Sequence, residues 1–168
     1  MKRTILLVSL ALVSLGAFAQ REDHNQSKEM DKKMDPMFKD KSIGKSYTQY
    51  LVLKDALVAS KGKDAQSAAK ELGKTLGSIK NGKLAQVQAT KIASGNAIEE
   101  QRKVFDMLSD EMLKLVKDQL SMGEIYLEYC PMANKNTGGK WLSNEKEIKN
   151  PYFGSMMLNC GAVKETIN

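Results

Sequence analysis

Between Asn96 and Gly123 the sequence NAIEEQRKVFDMLSDEMLKLVKDQLSMG repeats apolar residues at threes and fours, placing Phe105, Leu108, Met112, Leu115 and Val116 on one stripe. A helix of this length with one apolar face is stable only when that face is buried against other elements. The chain supplies partners upstream. In YTQYLVLKDALVAS, Tyr47, Tyr50, Leu51, Leu57 and Val58 share a helical face; in DAQSAAKELGKTLGSIKNG, Ala65, Ala68, Ala69, Leu72, Leu76 and Ile79 do the same. A shorter helix is predicted from Leu84 to about Ile92. Four antiparallel helices with short links predict a mainly α fold, an up-and-down helical bundle. Ser46 with Gln49, and Asn96 with Glu99, read as capping boxes. Gly62 is expected to end the first helix, Asp64 to cap the second, Asn81-Gly82 to stop it, and Gly123 to close the longest. Met107 and Met112 read as bundle packing, since methionine at helical spacing is ordinary core filler.

From Glu124 the period changes. EIYLEYC alternates Ile125, Leu127 and Tyr129 with Tyr126, Glu128 and Cys130, a period of two that predicts a strand. Gly138-Gly139 predicts a turn, with KWLS as the partner strand. Asn150 before Pro151 predicts a short helix from Pro151 to about Asn159, ended by Gly161. That helix would set Met156 and Met157 four and three residues before Cys160. Trp141, Tyr152 and Phe153 read as a small apolar cluster closing this end of the bundle, the alternative being an aromatic wall beside a cation or an exposed docking patch for a partner. Residues 46–168 are thus one helical-bundle domain whose end, 124–168, is a strand, turn and short-helix cap.

The N-terminus MKRTILLVSLALVSLGAFAQ has a basic start, an apolar run too short to span a bilayer, and Ala17 and Ala19 around Phe18. This is the pattern of a signal peptide over 1–19, cut near Ala19/Gln20, which predicts export to a periplasm and no membrane insertion of the mature chain. Residues 20–45 are charged and amide-rich with almost no branched aliphatics, a flexible Met/Lys-rich tail. The tail carries the only histidine, His24, with Met30, Met34 and Met37, whose thioethers suit Cu(I) or Ag(I) as a weak site. Loss of Lys2 and Arg3 with the leader lowers the formal charge from +6 to +4. So modest an excess, spread as isolated lysines, argues against a nucleic-acid partner.

The segments YLVLKDALVAS, YCPMA, WLS, EIKNPYFG and MMLNCGAVKETI, taken in order, resemble a bacterial domain of unknown function (family 3347). It occurs alone in exported proteins and at the ends of periplasmic heavy-metal efflux adaptor proteins. The resemblance spans 46–168 and implies copper or silver handling, with an efflux adaptor or another envelope protein as partner. YCPM around Cys130 is also similar to the Cys-Pro-Met-His core of a small heavy-metal module of the same adaptors, but Ala133 stands where that module has histidine.

The residue types agree with a soft-metal reading. Cys130, Met132, Met156, Met157 and Cys160 would supply two thiolates and one or more thioethers, a set that prefers Cu(I) or Ag(I) over zinc or Cu(II). Two cysteines in an oxidising compartment equally suit a Cys130–Cys160 disulfide, and the chain is then a protein-interaction module with a stapled cap. Catalysis is not expected. His24 lies in the tail, no Cys-x-x-Cys occurs, and no phosphate-cradling glycine loop stands out.

Overall fold

A computed structural model describes residues 35–168. The expected leader and cleavage point, and His24, Met30 and Met34, lie outside the described residues. Four helices, α1 (Lys41–Val58), α2 (Gly62–Leu76), α3 (Lys83–Ser94) and α4 (Ile98–Val116), are followed by strands β2 (Leu120–Met122), β3 (Ile125–Cys130), β4 (Gly139–Ser143) and β5 (Ala162–Ile167). A two-residue strand, β1 (Met37–Phe38), precedes them. Consecutive helices pack on each other, and α4 also lies against α1 and α2. Among the described residues no helix is long and apolar enough to cross a membrane.

The helices sit where the apolar spacing puts them, but their ends are set by other residues. Asp40, not Ser46, caps α1: its carboxylate accepts the Ser42 N–H at 2.7 Å. Ser46 is buried one turn inside the helix, where its hydroxyl donates to Ile43 O at 2.8 Å, so the expected box with Gln49 does not form. Part of the expected tail, from Met37 on, is therefore β1 and the first turn of α1. Asp64 sits within the first turn of α2, facing the positive end of the helix rather than capping it. Gly77 follows the last residue of α2, and Asn81, at φ 65°, turns the chain into α3. Ala97 precedes α4 with no side-chain cap, so the Asn96/Glu99 box is absent as well.

The longest helix stops at Val116, well before Gly123. Residues 120–122 are taken by β1, in an antiparallel pair that sets Phe38 opposite Leu120 and Met37 opposite Met122. Phe38 and Leu120 pack against the core, which decides the end of α4. Gly123, at φ 83°, turns the chain into β3 instead. Met112 is fully buried as expected, whereas Met107 is exposed on the outer face of α4.

The second sheet is antiparallel with order β4-β3-β5. The expected strands at 124–130 and 140–143 form. β5 was not anticipated; it is a mostly exposed edge strand whose Ile167 alone is buried. The helix expected over Pro151–Asn159 does not form. Gly154 has φ 57°, a left-handed conformation that ends helical winding, and only a 3₁₀ turn, Gly154–Met156, follows. A Cβ at Gly154 would lie 2.6 Å from Ser60 Oγ and 2.7 Å from Val58 O.

A line of aromatic rings ties the bundle to the cap. Phe38, Tyr47, Tyr50, Phe105, Tyr152 and Trp141 follow one another with centroid separations between 5.2 and 6.2 Å. Within it a buried chain of polar groups joins three elements. Leu142 N–H donates to the Tyr50 oxygen at 3.0 Å, Tyr50 O–H pairs with Ser109 Oγ at 2.7 Å, and Ser109 donates to Phe105 O at 2.8 Å. Burial pushes the Tyr50 phenol far up, so it stays neutral. Tyr50→Phe leaves both the Leu142 N–H and the Ser109 hydroxyl without this partner, and should cost about 1–3 kcal/mol. Urea unfolding of the variant beside the parent protein measures it, and a loss of under about 0.5 kcal/mol would contradict the assignment.

Candidate functional site

The cap brings its two cysteines together through strand register. β3 and β5 pair with Tyr129 opposite Ala162, so Cys130 at the end of β3 and Cys160 just ahead of β5 converge at the end of the ladder. Their sulfurs are 2.7 Å apart, longer than the ~2.05 Å of a disulfide. No S–S bond joins them in this structure. Cys130 is fully buried, whereas Cys160 is only partly so, which leaves Cys160 the more accessible residue of the pair. Cys160 is pushed above its ordinary thiol value, first by its hydrogen bond with Cys130, then by burial and by the charge Cys130 would carry.

Cys160 is held by Asn150, which is fully buried. The Asn150 amide donates to Cys160 O at 2.6 Å, and its Oδ1 accepts the Tyr152 and Phe153 N–H groups at 2.8 and 3.3 Å. Its own backbone N–H donates to Leu158 O at 2.8 Å. Asn150 therefore behaves as the helix cap that Asn-Pro predicted, but it caps a folded loop. That loop is fastened to the bundle by Arg102, whose buried guanidinium donates to Pro151 O at 2.8 Å, Leu57 O at 3.0 Å and Ser60 Oγ at 2.9 Å. Burial holds Arg102 below its ordinary value. Gly161 (φ 145°) then lets the chain pass over Trp141, whose ring would lie 2.9 Å from an added Cβ.

The methionines are arranged differently from expectation. Without the helix at 151–159, the i+3 and i+4 spacing that was to bring Met157 and Met156 beside Cys160 is lost. Met157 remains next to Cys160 through a turn, its carbonyl accepting the Cys160 N–H at 3.1 Å. Met156 is 76% exposed and Met132 45% exposed. The Cys-Pro-Met stretch runs into a tight turn at Ala133–Asn136, where Asn134, Lys135 and Asn136 all have positive φ. Of the expected tail ligands only Met37 is described. It lies opposite Met122 on the β1–β2 pair, both half-exposed.

Three features of this region escaped sequence reasoning. The period of two did not say which set faces in: Tyr126, Glu128 and Cys130 line the inward face of β3, and Glu128 is fully buried opposite Trp141. Nothing in the local sequence singles out Arg102 from the other charges of α4. Met122 belonged to the presumed helix end. Only Asn150 carried a legible signal, the following proline. Trp141, Tyr152 and Phe153 do close this end of the bundle, with Trp141 edge-on to Tyr152 at 5.9 Å.

Among the described residues no group of three or more His, Cys, Asp or Glu side chains is placed to hold a metal ion. An open groove of about 360 Å³ between α1 and the segment after β4 is lined by residues that include Leu51, Lys54, Val58 and Lys149, and contains neither cysteine.

Residues 46–123 match the model of a family described as "Protein of unknown function (DUF3347)". The matched stretch runs from inside α1 through β2 and ends before β3, so Tyr50 and Arg102 belong to the DUF3347-like part while both cysteines lie beyond it. No curated protein and no solved structure matches the chain.

Proposed function

We propose that this chain is an exported, non-enzymatic accessory protein of heavy-metal homeostasis, and that its Cys130–Cys160 pair takes Cu(I) or Ag(I) as cargo. The observation that carries this reading is that the β3–β5 register brings the two cysteines to one place at the end of the ladder. Soft monovalent ions accept two or three sulfur ligands, and thiolates with a nearby thioether are the donor set they favour. Met157, tied to Cys160 by a turn, lies three residues from it along the chain, and Met132 lies two from Cys130. The signal-peptide pattern supports a periplasmic location. The resemblance to domains found at the ends of efflux adaptors supports a partner of that kind, to which cargo passes by exchange between sulfurs. The tail residues His24, Met30, Met34 and Met37 serve as a collecting arm, and Met122 beside Met37 extends it onto the folded domain.

The test is a Cu(I) competition titration of reduced mature protein. Cys130→Ser should weaken affinity by about 100-fold or more and Met157→Leu by a smaller factor. Affinity no tighter than that of a methionine-only peptide, or unchanged in both variants, overturns the reading.

One observation favours a second reading, a protein-interaction module with a structural disulfide. Two thiolates each ~2.3 Å from one ion stand roughly 4.0 Å apart at a trigonal angle and roughly 4.6 Å apart at a linear one, so the pair must open to take metal and need only close to form a bond. That reading expects the mature protein to be isolated fully oxidised and to bind no Cu(I) after reduction.

A further inference from the structure

We infer that the Cys130–Cys160 pair is a reversible thiol–disulfide gate on the proposed metal site, shut by oxidation and opened by reduction. The inference rests on the metal reading and adds its regulation. Three features of the fold carry it. The β3–β5 ladder and the Asn150 staple fix the backbone on both sides of the pair, so the sulfurs face each other at bonding range. Oxidation therefore needs only a small closing movement, whereas metal uptake needs the sulfurs to part. The two thiols also differ in access: Cys160 is half-buried and Cys130 fully buried, which orders the chemistry.

A small-molecule disulfide such as glutathione disulfide is the oxidant. The Cys160 thiolate attacks one of its sulfurs, forming a mixed disulfide and releasing one glutathione thiolate, which takes up the proton Cys160 gave. Cys130, deprotonated in turn, attacks the Cys160 sulfur and displaces the second glutathione, which takes the second proton. The two protein thiols are oxidised by two electrons and one glutathione disulfide is reduced to two thiols. Reduction runs the same steps backwards, entering through the accessible Cys160 sulfur.

The experiment equilibrates mature protein in glutathione buffers of graded redox ratio, traps free thiols by alkylation, reads the products by mass spectrometry and titrates each end state with Cu(I). The expected result is a single reversible two-electron transition, with both cysteines either alkylated or joined. Oxidised protein should bind Cu(I) at least ~100-fold more weakly than reduced protein, and reduction should restore affinity. Cys130→Ser, which removes the resolving thiol, should halt at the Cys160–glutathione adduct. Cys160→Ser, which leaves only the buried thiol, should form far less adduct. No disulfide in oxidising buffer, a disulfide that reducing buffer opens only in denaturant, or equal Cu(I) affinity in the two end states overturns the gate while leaving metal binding by the reduced form intact. A pair that cycles but never binds Cu(I) overturns the metal reading together with the gate.

Discussion

Asn150→Ala should lower the stability of the folded domain by about 3–5 kcal/mol, because it takes this partner from three backbone groups, one in a buried and two in part-buried hydrogen bonds, and an unpartnered buried group costs about 1–3 kcal/mol. Those groups are Cys160 O and the N–H groups of Tyr152 and Phe153. For a domain of this size the melting temperature should fall by roughly 10 °C or more. The same change frees the loop ahead of β5, so alkylation of Cys160 in the native protein should become faster. Lys149→Ala, one residue away, is the control. Its ammonium pairs at the surface with Glu145 and Glu147, and exposed pairs of this kind contribute at most about 1 kcal/mol. Calorimetry with thiol-reactivity kinetics on both variants decides the matter. An Asn150→Ala protein within about 1 kcal/mol of the parent would show that the loop is held by packing alone.

The second large effect is on pH. Cu(I) affinity of the reduced protein should rise by about tenfold per pH unit between pH 6 and 8 for each thiol proton that the ion displaces. The direction follows from Cys160, which the hydrogen bond with Cys130 holds above its ordinary thiol value and therefore protonated throughout this range. Binding must expel that proton, so lower pH opposes it and higher pH favours it. Over two pH units the gain is about 100-fold from the Cys160 proton alone. Folding stability runs the other way: a thiol whose folded-state pKa is raised contributes fully at pH values below its ordinary range and loses that contribution as pH climbs through the raised value. Competition titrations corrected for protonation of the competing chelator would measure the slope. A flat profile would mean that the cysteines are not the ligands.

The interior of each helix was legible because its signal is local. Ala65, Ala69, Leu72 and Leu76 recur at 3.6-residue spacing, and all four are buried on α2. Helix ends were not legible in the same way. A cap is a competition among nearby polar residues, and Asp40 outcompetes Ser46 once Phe38 has docked beside Tyr47. The end of α4 depends on a strand some eighty residues upstream, which no local pattern encodes. The short helix at 151–159 had a good start signal in Asn150-Pro151, but Gly154, packed against Val58 O and Ser60, needs a left-handed backbone there.

The candidate site divides along the same line. The cysteines, the nearby methionines and their soft-donor chemistry are properties of residue type and can be read without a fold. Whether Cys130 and Cys160 meet depends on the pairing of β3 with β5, a partnership between residues over thirty positions apart that no local pattern encodes.

The sequence alone therefore determines a helix-dominated domain, the period-two strand at 125–130 and a sulfur-rich last segment, because each rests on side-chain type and short-range spacing. Only the tertiary structure decides which face of β3 turns inward, that Asn150 and Arg102 fasten the loop, and that the two thiols stand against each other. Those outcomes come from hydrogen bonds and strand register between residues far apart in the chain, and such pairings are settled by the whole fold.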